Sequence, residues 1–172
     1  MYKIGDLTFY KSHGICQIDS IVEQNFTGTP MQYYVLQSKL RPGVTLYHPV
    51  ESDNSQLERL ITSEEAGKIM DTFANDSNEW DDRNTNRQRF HNDILNRNNH
   101  LEIAQLMNTL LRKELALQQQ DKKLASQDTQ MLHQISMLIY DVLELALKQS
   151  KTQIQKQIMQ KINSTFNVAA HA

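Results

Sequence analysis

The sequence predicts an α+β fold in which a small, bent antiparallel β-sheet or open barrel precedes an all-α helical bundle. As far as residue 61, apolar and β-branched residues come in short runs separated by turn residues. Beyond residue 61, apolar residues recur at the three- or four-residue spacing of a helix. A capping box marks the change of pattern. The predicted domains are therefore a β domain at 1–61, a capped helix and linker at 62–79 and a helical domain at 80–172.

The β domain, called the head below, is predicted to hold four or five strands. Glycine and proline mark its turns, because glycine tolerates positive φ and proline presets φ for a turn. About 60 residues of antiparallel strand bury only a small core, which favours a strongly bent sheet. Such a sheet leaves exposed edges to which a partner strand can pair, so the head is predicted to be a docking module. The four clearest strand runs are Leu7–Tyr10, Ile15–Ile18, Tyr33–Leu36 and Val44–Tyr47.

The first two helices follow from caps and periodicity. Thr62 and Glu65 have the spacing of a capping box, which predicts a short helix that ends before the polar linker beginning at Asn75. A second helix is predicted from Glu79 to about Leu95. One stripe of this second helix would be basic and aromatic at its start and apolar at its end, with Trp80, Arg83, Arg87, Phe90 and Ile94.

Three further helices complete the predicted bundle. The third runs from Leu101 to about Gln118, the fourth is capped by Ser126, and the last covers about 151–164, with a frayed end at 168–172. The spacing of apolar residues in the fourth helix fits either a coiled-coil seam or a bundle core, and its wide apolar face favours the core. The residues in this stripe are Leu132, Ile135, Ile139, Val142 and Ala146.

Composition and motifs argue against an enzyme. The chain has one cysteine, Cys16, six histidines without metal-ligand spacing, and no glycine-rich phosphate loop. No cofactor, metal site, catalytic group or small-molecule substrate is therefore predicted. The N-terminus lacks the apolar core of a signal peptide, and no run approaches the roughly 18 apolar residues of a membrane span. These features predict a cytoplasmic protein with no membrane partner.

Several short runs stand in a fixed order in the head: Ile4–Asp6, Tyr10, His13–Ile18, Tyr33–Leu36, Leu46, His48–Val50 and Leu57–Ile61. This ordered set resembles the RNA-polymerase-interacting domain of CarD/CdnL-type bacterial transcription regulators, a domain that also occurs in transcription-repair coupling factor. The resemblance implies a Tudor-like sheet that docks on RNA polymerase, on its β subunit. The predicted helical region after residue 61, called the tail below, is more loosely similar to the helical domain of that family. The similar features are Trp80 after a short linker and Lys123–Ser126 before a helix.

Trp80 is the candidate DNA contact. The resemblance implies a tryptophan wedged into the minor groove at the upstream edge of the melted promoter, where a flat ring replaces a lost stacking partner. The alternative is that Trp80 packs in the core, as most tryptophans do. Arg83, Arg87 and Arg89 are the candidate phosphate contacts, or else a solvated helix face paired with neighbouring aspartates. Asp81 and Asp82 depart from the family, which places basic residues there.

The head also departs from the family at the polymerase-facing edge. Well-studied members place arginines there, whereas the matching positions here are Gln24 and Tyr47. Docking is therefore predicted to depend on backbone pairing and on Tyr33, Tyr47 or Arg41 more than on ion pairs; the alternative is that the partner surface differs.

Charge predicts weak binding to free DNA. Residues 1–75 carry six Lys and Arg against nine Asp and Glu, and residues 76–172 carry twelve against eleven, so the tail is nearly neutral. Promoter DNA is thus a predicted partner mainly within the polymerase complex, where docking raises its local concentration. The sequence predicts a CarD-like regulator of open-complex stability; the alternative is a protein-binding adaptor whose helical tail oligomerises without touching DNA.

Overall fold

The computed structural model describes residues 1–10, 13–39, 41–52 and 56–169, with side chains as far as residue 166. Two compact units divide the chain, residues 1–60 and residues 61–172, and each has its own hydrophobic core. The first is the head, and the second is called the helical unit below. Their secondary structure confirms the predicted α+β class, with a sheet followed by helices.

The head is an antiparallel sheet of five strands: β1 (Leu7–Tyr10), β2 (Gly14–Gln24), β3 (Met31–Ser38), β4 (Thr45–Pro49) and β5 (Leu57–Glu58). Their order in the sheet is β4-β3-β2-β1-β5. The predicted runs lie in strands except for Val44, which directly precedes β4, and β2 and β3 extend well beyond theirs because they pair along most of their length. A register shift between Ile18 and Ser20 places a bulge in β2, which bends a strand and increases its twist.

One face of the sheet carries the core of the head. Ile18 and Leu36 are cross-strand partners and both are fully buried, with Cys16 and Tyr34 beside them. Partly buried apolar side chains close this core from the other strands and from the N-terminus. They are Tyr2, Tyr10, Leu46, Val50 and Leu57.

The described part of the helical unit contains five helices, whose caps explain most of their limits. Thr62 and Glu65 form the predicted capping box, with Glu65 N–H donating to Thr62 Oγ1 at 3.2 Å and Thr62 N–H to Glu65 Oε2 at 2.8 Å. Asn98, at φ 52°, ends the second helix and Asn99 caps the third. The helices are α1 (Ser63–Thr72), α2 (Asn84–Arg97), α3 (His100–Gln118), α4 (Ser126–Leu147) and α5 (Lys151–Ala169).

Three predicted helix limits were wrong. Helix α2 begins at Asn84, not Glu79, because the Asp81 carboxylate accepts the N–H of Arg83 at 2.8 Å and holds that segment out of the helix. Ala125, not Ser126, is the N-cap residue of α4. Helix α5 continues to Ala169, so the fraying predicted for 168–172 is not seen at 168–169, and residues 170–172 lie outside the described residues.

The apolar stripe of α4 lies in the core of the helical unit. Leu132, Ile135, Ile139 and Val142 are each less than 9% exposed, and the first three pack with buried residues of the other helices. This confirms the bundle-core interpretation of the stripe, since these side chains are covered within one copy of the chain. Within the described residues, no helix is long and apolar enough to cross a membrane.

Candidate functional site

An aromatic cluster lies on the face of the head sheet opposite its core. Phe26, in the loop between β2 and β3, packs edge-on against Tyr33 and Tyr47, with ring centroids 5.0 and 5.3 Å apart. Tyr33 is only 4% exposed, whereas Phe26 and Tyr47 remain 58% and 47% exposed. Aromatic side chains grouped in this way are typical anchors of protein interfaces. We call Phe26, Tyr33 and Tyr47 the head aromatic cluster.

Beside this cluster, β4 forms an edge of the sheet, and no strand of the described chain pairs with its outer side. Val44 O accepts from Ser38 N–H, and Val50 N–H donates to Gln32 O, so the even-numbered residues bond to β3. Alternation then directs the backbone groups of Thr45 and Tyr47 outward. Pro49, also outward, has no N–H to donate. A partner strand could therefore bond to two N–H groups of β4.

The residues predicted to bind polymerase are only partly brought together. Tyr33 and Tyr47 share the head aromatic cluster, although Tyr33 is mostly covered. Gln24 and Arg41 are both exposed, but Gln24 lies beside Met31 at the start of β3, and Arg41 lies beyond its end. Sequence reasoning missed Phe26. A large apolar residue beside the polar Thr27–Pro30 turn was the available signal.

Trp80 lies in an irregular segment before α2, not on the helix where it was predicted. The backbone N–H of Asn78 donates to Thr109 Oγ1 on α3 at 3.1 Å, and the turn at Asp81 shapes the other end of the segment. The Trp80 ring is partly buried and packs against the core of the helical unit. Its position is thus intermediate between a core residue and an exposed wedge.

Two cations lie over the Trp80 ring, and a groove opens on either side of it. Arg87 Cζ is 4.4 Å and Lys113 Nζ 4.8 Å from the ring centroid, both within cation–π range. The first groove, of about 470 Å³, is lined by Phe90 and His91 among others. The second, of about 440 Å³, is lined by Lys113 and Phe166 among others. Trp80 lines both grooves, so part of its side chain borders open space.

Arg87 does not lie on the surface, contrary to the prediction that it contacts DNA phosphate. It is 7% exposed, and its guanidinium forms a buried ion pair with Asp128 of α4, which is fully buried. The Arg87–Asp128 bonds are 2.7 to 3.2 Å long. Arg87 also donates to the backbone oxygen of Asp81 at 2.7 Å. These contacts use the donors that a phosphate would require, so the structure makes Arg87 an internal residue.

Arg83 and Arg89 are exposed, as a phosphate contact requires. Arg83 is the N-cap residue of α2, while Arg89 lies in its second turn. Acidic residues outnumber them around Trp80, because Asp76, Glu79, Asp81 and Asp82 all belong to the segment before α2. The surface around Trp80 is therefore less basic than a DNA-binding surface usually is.

His91 is buried beside the ion pair of Arg87 and Asp128. Its Nδ1 is 3.8 Å from Asp128 Oδ1 and has no hydrogen-bond partner among the described residues. Burial lowers the pKa of His91, and Arg87 lowers it further, while Asp128 opposes the change without reversing it. The folded protein therefore favours the neutral imidazole.

This lowered pKa predicts that the helical unit loses stability in mild acid. Below the ordinary histidine pKa of about 6.5, the unfolded chain binds a proton at His91 that the folded protein resists. The contribution of His91 to the free energy of unfolding is therefore complete above pH about 6.5, and it is lost as the pH falls through the pKa of His91 in the folded protein. Urea unfolding followed by Trp80 fluorescence at about pH 7.5 and pH 5.5 measures this loss. His91→Gln should reduce the pH difference, while the exposed control His133→Gln should not. Equal pH differences in all three proteins would contradict the prediction.

Across the described ranges, no group of three or more histidine, cysteine, aspartate or glutamate side chains is arranged to hold a metal ion. The structure thus offers two candidate surfaces, each within its own unit. One is the head aromatic cluster with the β4 edge, and the other is the Trp80 surface of the helical unit.

Comparison with known proteins concerns the head, which carries the first of these surfaces. Residues 2–61 match the family model described as CarD-like/TRCF RID domain, which confirms the resemblance of the head. The matched range includes every strand of the sheet and the head aromatic cluster. No curated protein sequence matches the chain.

Proposed function

We propose that this chain, whose residues 2–61 are a CarD-like/TRCF RNA-polymerase-interacting domain, is a non-catalytic transcription regulator of the bacterial cytoplasm. The head docks on RNA polymerase, on its β subunit, and the helical unit modulates the stability of promoter open complexes. The family match over residues 2–61 carries the polymerase part of the proposal. The Trp80 side chain, which borders both grooves, supports the role of the helical unit.

The head surface suited to docking combines the β4 edge with the head aromatic cluster. Backbone pairing at Thr45 and Tyr47 would add a polymerase strand to the sheet. Phe26 and Tyr47 would supply apolar area beside that strand, since both are about half exposed. Docking by backbone pairing and apolar contact does not need ion pairs. It therefore suits a head in which Gln24 and Tyr47 occupy the positions where the family places arginines.

The helical unit would act by differential binding. If it contacts melted DNA better than duplex, it shifts the closed-to-open equilibrium by no more than that difference in affinity. The helical unit is nearly neutral and would bind free DNA weakly. Docking of the head on polymerase would raise the local concentration of promoter DNA around the helical unit. Arg83 and Arg89 are the exposed arginines available for phosphate contact. Trp80 would stack on an unpaired base, which is worth about 1–3 kcal/mol.

Open-complex lifetime on a promoter, with cognate polymerase, tests the proposal. Wild-type protein should lengthen the lifetime, and Trp80→Ala should remove most of that gain, because stacking energy of about 1–3 kcal/mol corresponds to roughly 5- to 150-fold. Capture of polymerase by the same proteins provides the docking control. Met137→Ala, which removes another exposed apolar side chain of the helical unit, should retain the wild-type lifetime.

The outcomes separate the two parts of the proposal. Polymerase capture without any change of lifetime by the wild-type protein would reject the open-complex role and keep the docking role. A lifetime gain that Trp80→Ala retains would place the DNA contact elsewhere in the helical unit. Failure of the folded wild-type protein to capture polymerase would reject both parts.

A second function, an adaptor that binds polymerase without touching DNA, fits the acidic surroundings of Trp80. Four carboxylates precede α2, and Arg87 is internal, so phosphate contact has few basic residues to depend on. Oligomerisation through the α4 stripe has no support, since that stripe is covered within the unit. The same lifetime experiment decides between adaptor and open-complex regulator.

A further inference from the structure

The orientation of Trp80 depends on a side chain that sequence reasoning assigned to DNA. Arg87 stacks on the Trp80 ring, with Cζ 4.4 Å from the centroid. The same guanidinium donates to the backbone oxygen of Asp81, the residue that follows Trp80, at 2.7 Å. Arg87 therefore contacts both the ring and the backbone beside it. One side chain therefore links the position of the backbone at Asp81 to the orientation of the Trp80 ring.

Arg87 is itself held by partners on α2 and α4. Asp128 accepts from Nε at 3.1 and 3.2 Å and from Nη2 at 2.7 Å, which is the forked geometry that arginine and carboxylate favour. Asn84 Oδ1 accepts from Nη2 at 3.2 Å. Gln88 Nε2 donates to Asp128 Oδ1 at 2.9 Å and so fixes the carboxylate in turn. The chain of contacts runs from α4, through Asp128 and Arg87, to Trp80.

The segment that carries Trp80 has no regular structure of its own. Such a segment keeps one conformation only where side-chain contacts fix it, and presentation of a binding group in advance reduces the ordering cost of binding. A bidentate pair buried on both sides supplies that constraint, because neither partner can leave without exposing the other charge to an apolar interior.

We infer that Arg87 and Asp128 are positioning residues that fix the orientation in which Trp80 is presented. Arg87 acts through the ring and the Asp81 carbonyl, and Asp128 acts through Arg87. The orientation itself is a property of the free protein. Its importance for open complexes rests on the function proposed above.

The fluorescence of Trp80 tests this inference directly, since it is the only tryptophan of the chain. Asp128→Asn keeps the shape of the side chain and removes its charge. It should raise the acrylamide quenching constant of Trp80 and lower its anisotropy, because the ring is released from a fixed guanidinium. Arg87→Lys keeps a cation but loses the fork, and should show the same changes.

Asp141→Asn is the matched control. Asp141 is also a buried carboxylate of α4 and is also ion-paired, to Lys151, but it lies thirteen residues further along the helix, roughly 20 Å at 1.5 Å per residue. Its replacement should leave Trp80 quenching and anisotropy at the wild-type values. Circular dichroism establishes that each variant keeps its helix content; Arg87→Lys decides the test if Asp128→Asn does not fold.

Each result supports or overturns the inference. Wild-type quenching in a folded Asp128→Asn or Arg87→Lys protein would overturn it, and so would equal changes in Asp141→Asn. Open-complex lifetime is then measured on the same variants. Raised quenching with an unchanged lifetime would keep the positioning role and reject the DNA role of Trp80, so the two failures are distinguishable.

Discussion

Replacement of Asp128 by alanine is expected to lower the free energy of unfolding of the helical unit by about 3–5 kcal/mol. The change leaves the Arg87 guanidinium, 7% exposed, without its ionic partner inside the unit. It also removes the acceptor of Gln88. Urea unfolding at neutral pH, followed by circular dichroism and by Trp80 fluorescence, measures the loss.

Two comparisons make this expectation specific. Asp93→Ala, at an exposed position of α2, should change stability by less than about 0.5 kcal/mol, as surface substitutions usually do. The double variant Arg87→Met with Asp128→Leu should be more stable than Asp128→Ala, because it removes both buried charges. A double variant no more stable than Asp128→Ala would show that the stranded charge is not the source of the loss.

Combined replacement of Phe26 and Tyr47 by alanine is expected to weaken binding to RNA polymerase by about 2 kcal/mol or more, roughly thirtyfold. The change removes the two exposed rings of the head aromatic cluster and leaves the buried core, in which neither ring participates. Binding of the purified protein to immobilised cognate polymerase measures the dissociation constant. The single variants should each lose part of this affinity.

The control for this experiment is Ile4→Ala, which removes an exposed apolar side chain of the head outside the cluster. It should bind polymerase like the wild-type protein. Circular dichroism and thermal unfolding establish that the alanine variants keep the head folded. Wild-type affinity in a folded double variant would exclude the cluster from the docking surface and would leave backbone pairing at β4 as the remaining contact.

Local patterns were sufficient to predict the class of fold and most of its elements. The short apolar strand runs between turn residues, the Thr62–Glu65 capping box and the wide apolar face of α4 each depend on residues close in the chain. The ordered head residues also predicted the family that residues 2–61 match. These features need no knowledge of distant contacts, and so periodicity and caps identify them.

The features that were predicted wrongly or missed depend on contacts between distant residues or on competition between local hydrogen bonds. Arg87 and Asp128 are 41 residues apart, and no pattern in either neighbourhood predicts that one neutralises the other. The start of α2 was placed too early because helical spacing hid the competing turn at Asp81. Phe26 was overlooked because it lies in a loop, where its packing on two tyrosines of neighbouring strands depends on the register of the sheet.

Pro49 at the outer side of β4 has a consequence for the protein before it meets a partner. An open strand edge can pair with the same strand of another molecule. A long, uninterrupted row of unpaired N–H groups therefore favours aggregation. Proline removes one donor from that row and leaves the two of Thr45 and Tyr47. Two backbone N–H groups offer few hydrogen bonds, so a second copy of the chain would bind this edge weakly. A partner that also contacts the neighbouring side chains would bind more strongly. The β4 edge is therefore less suited to pairing with a second copy of the chain, while it can still pair with another strand.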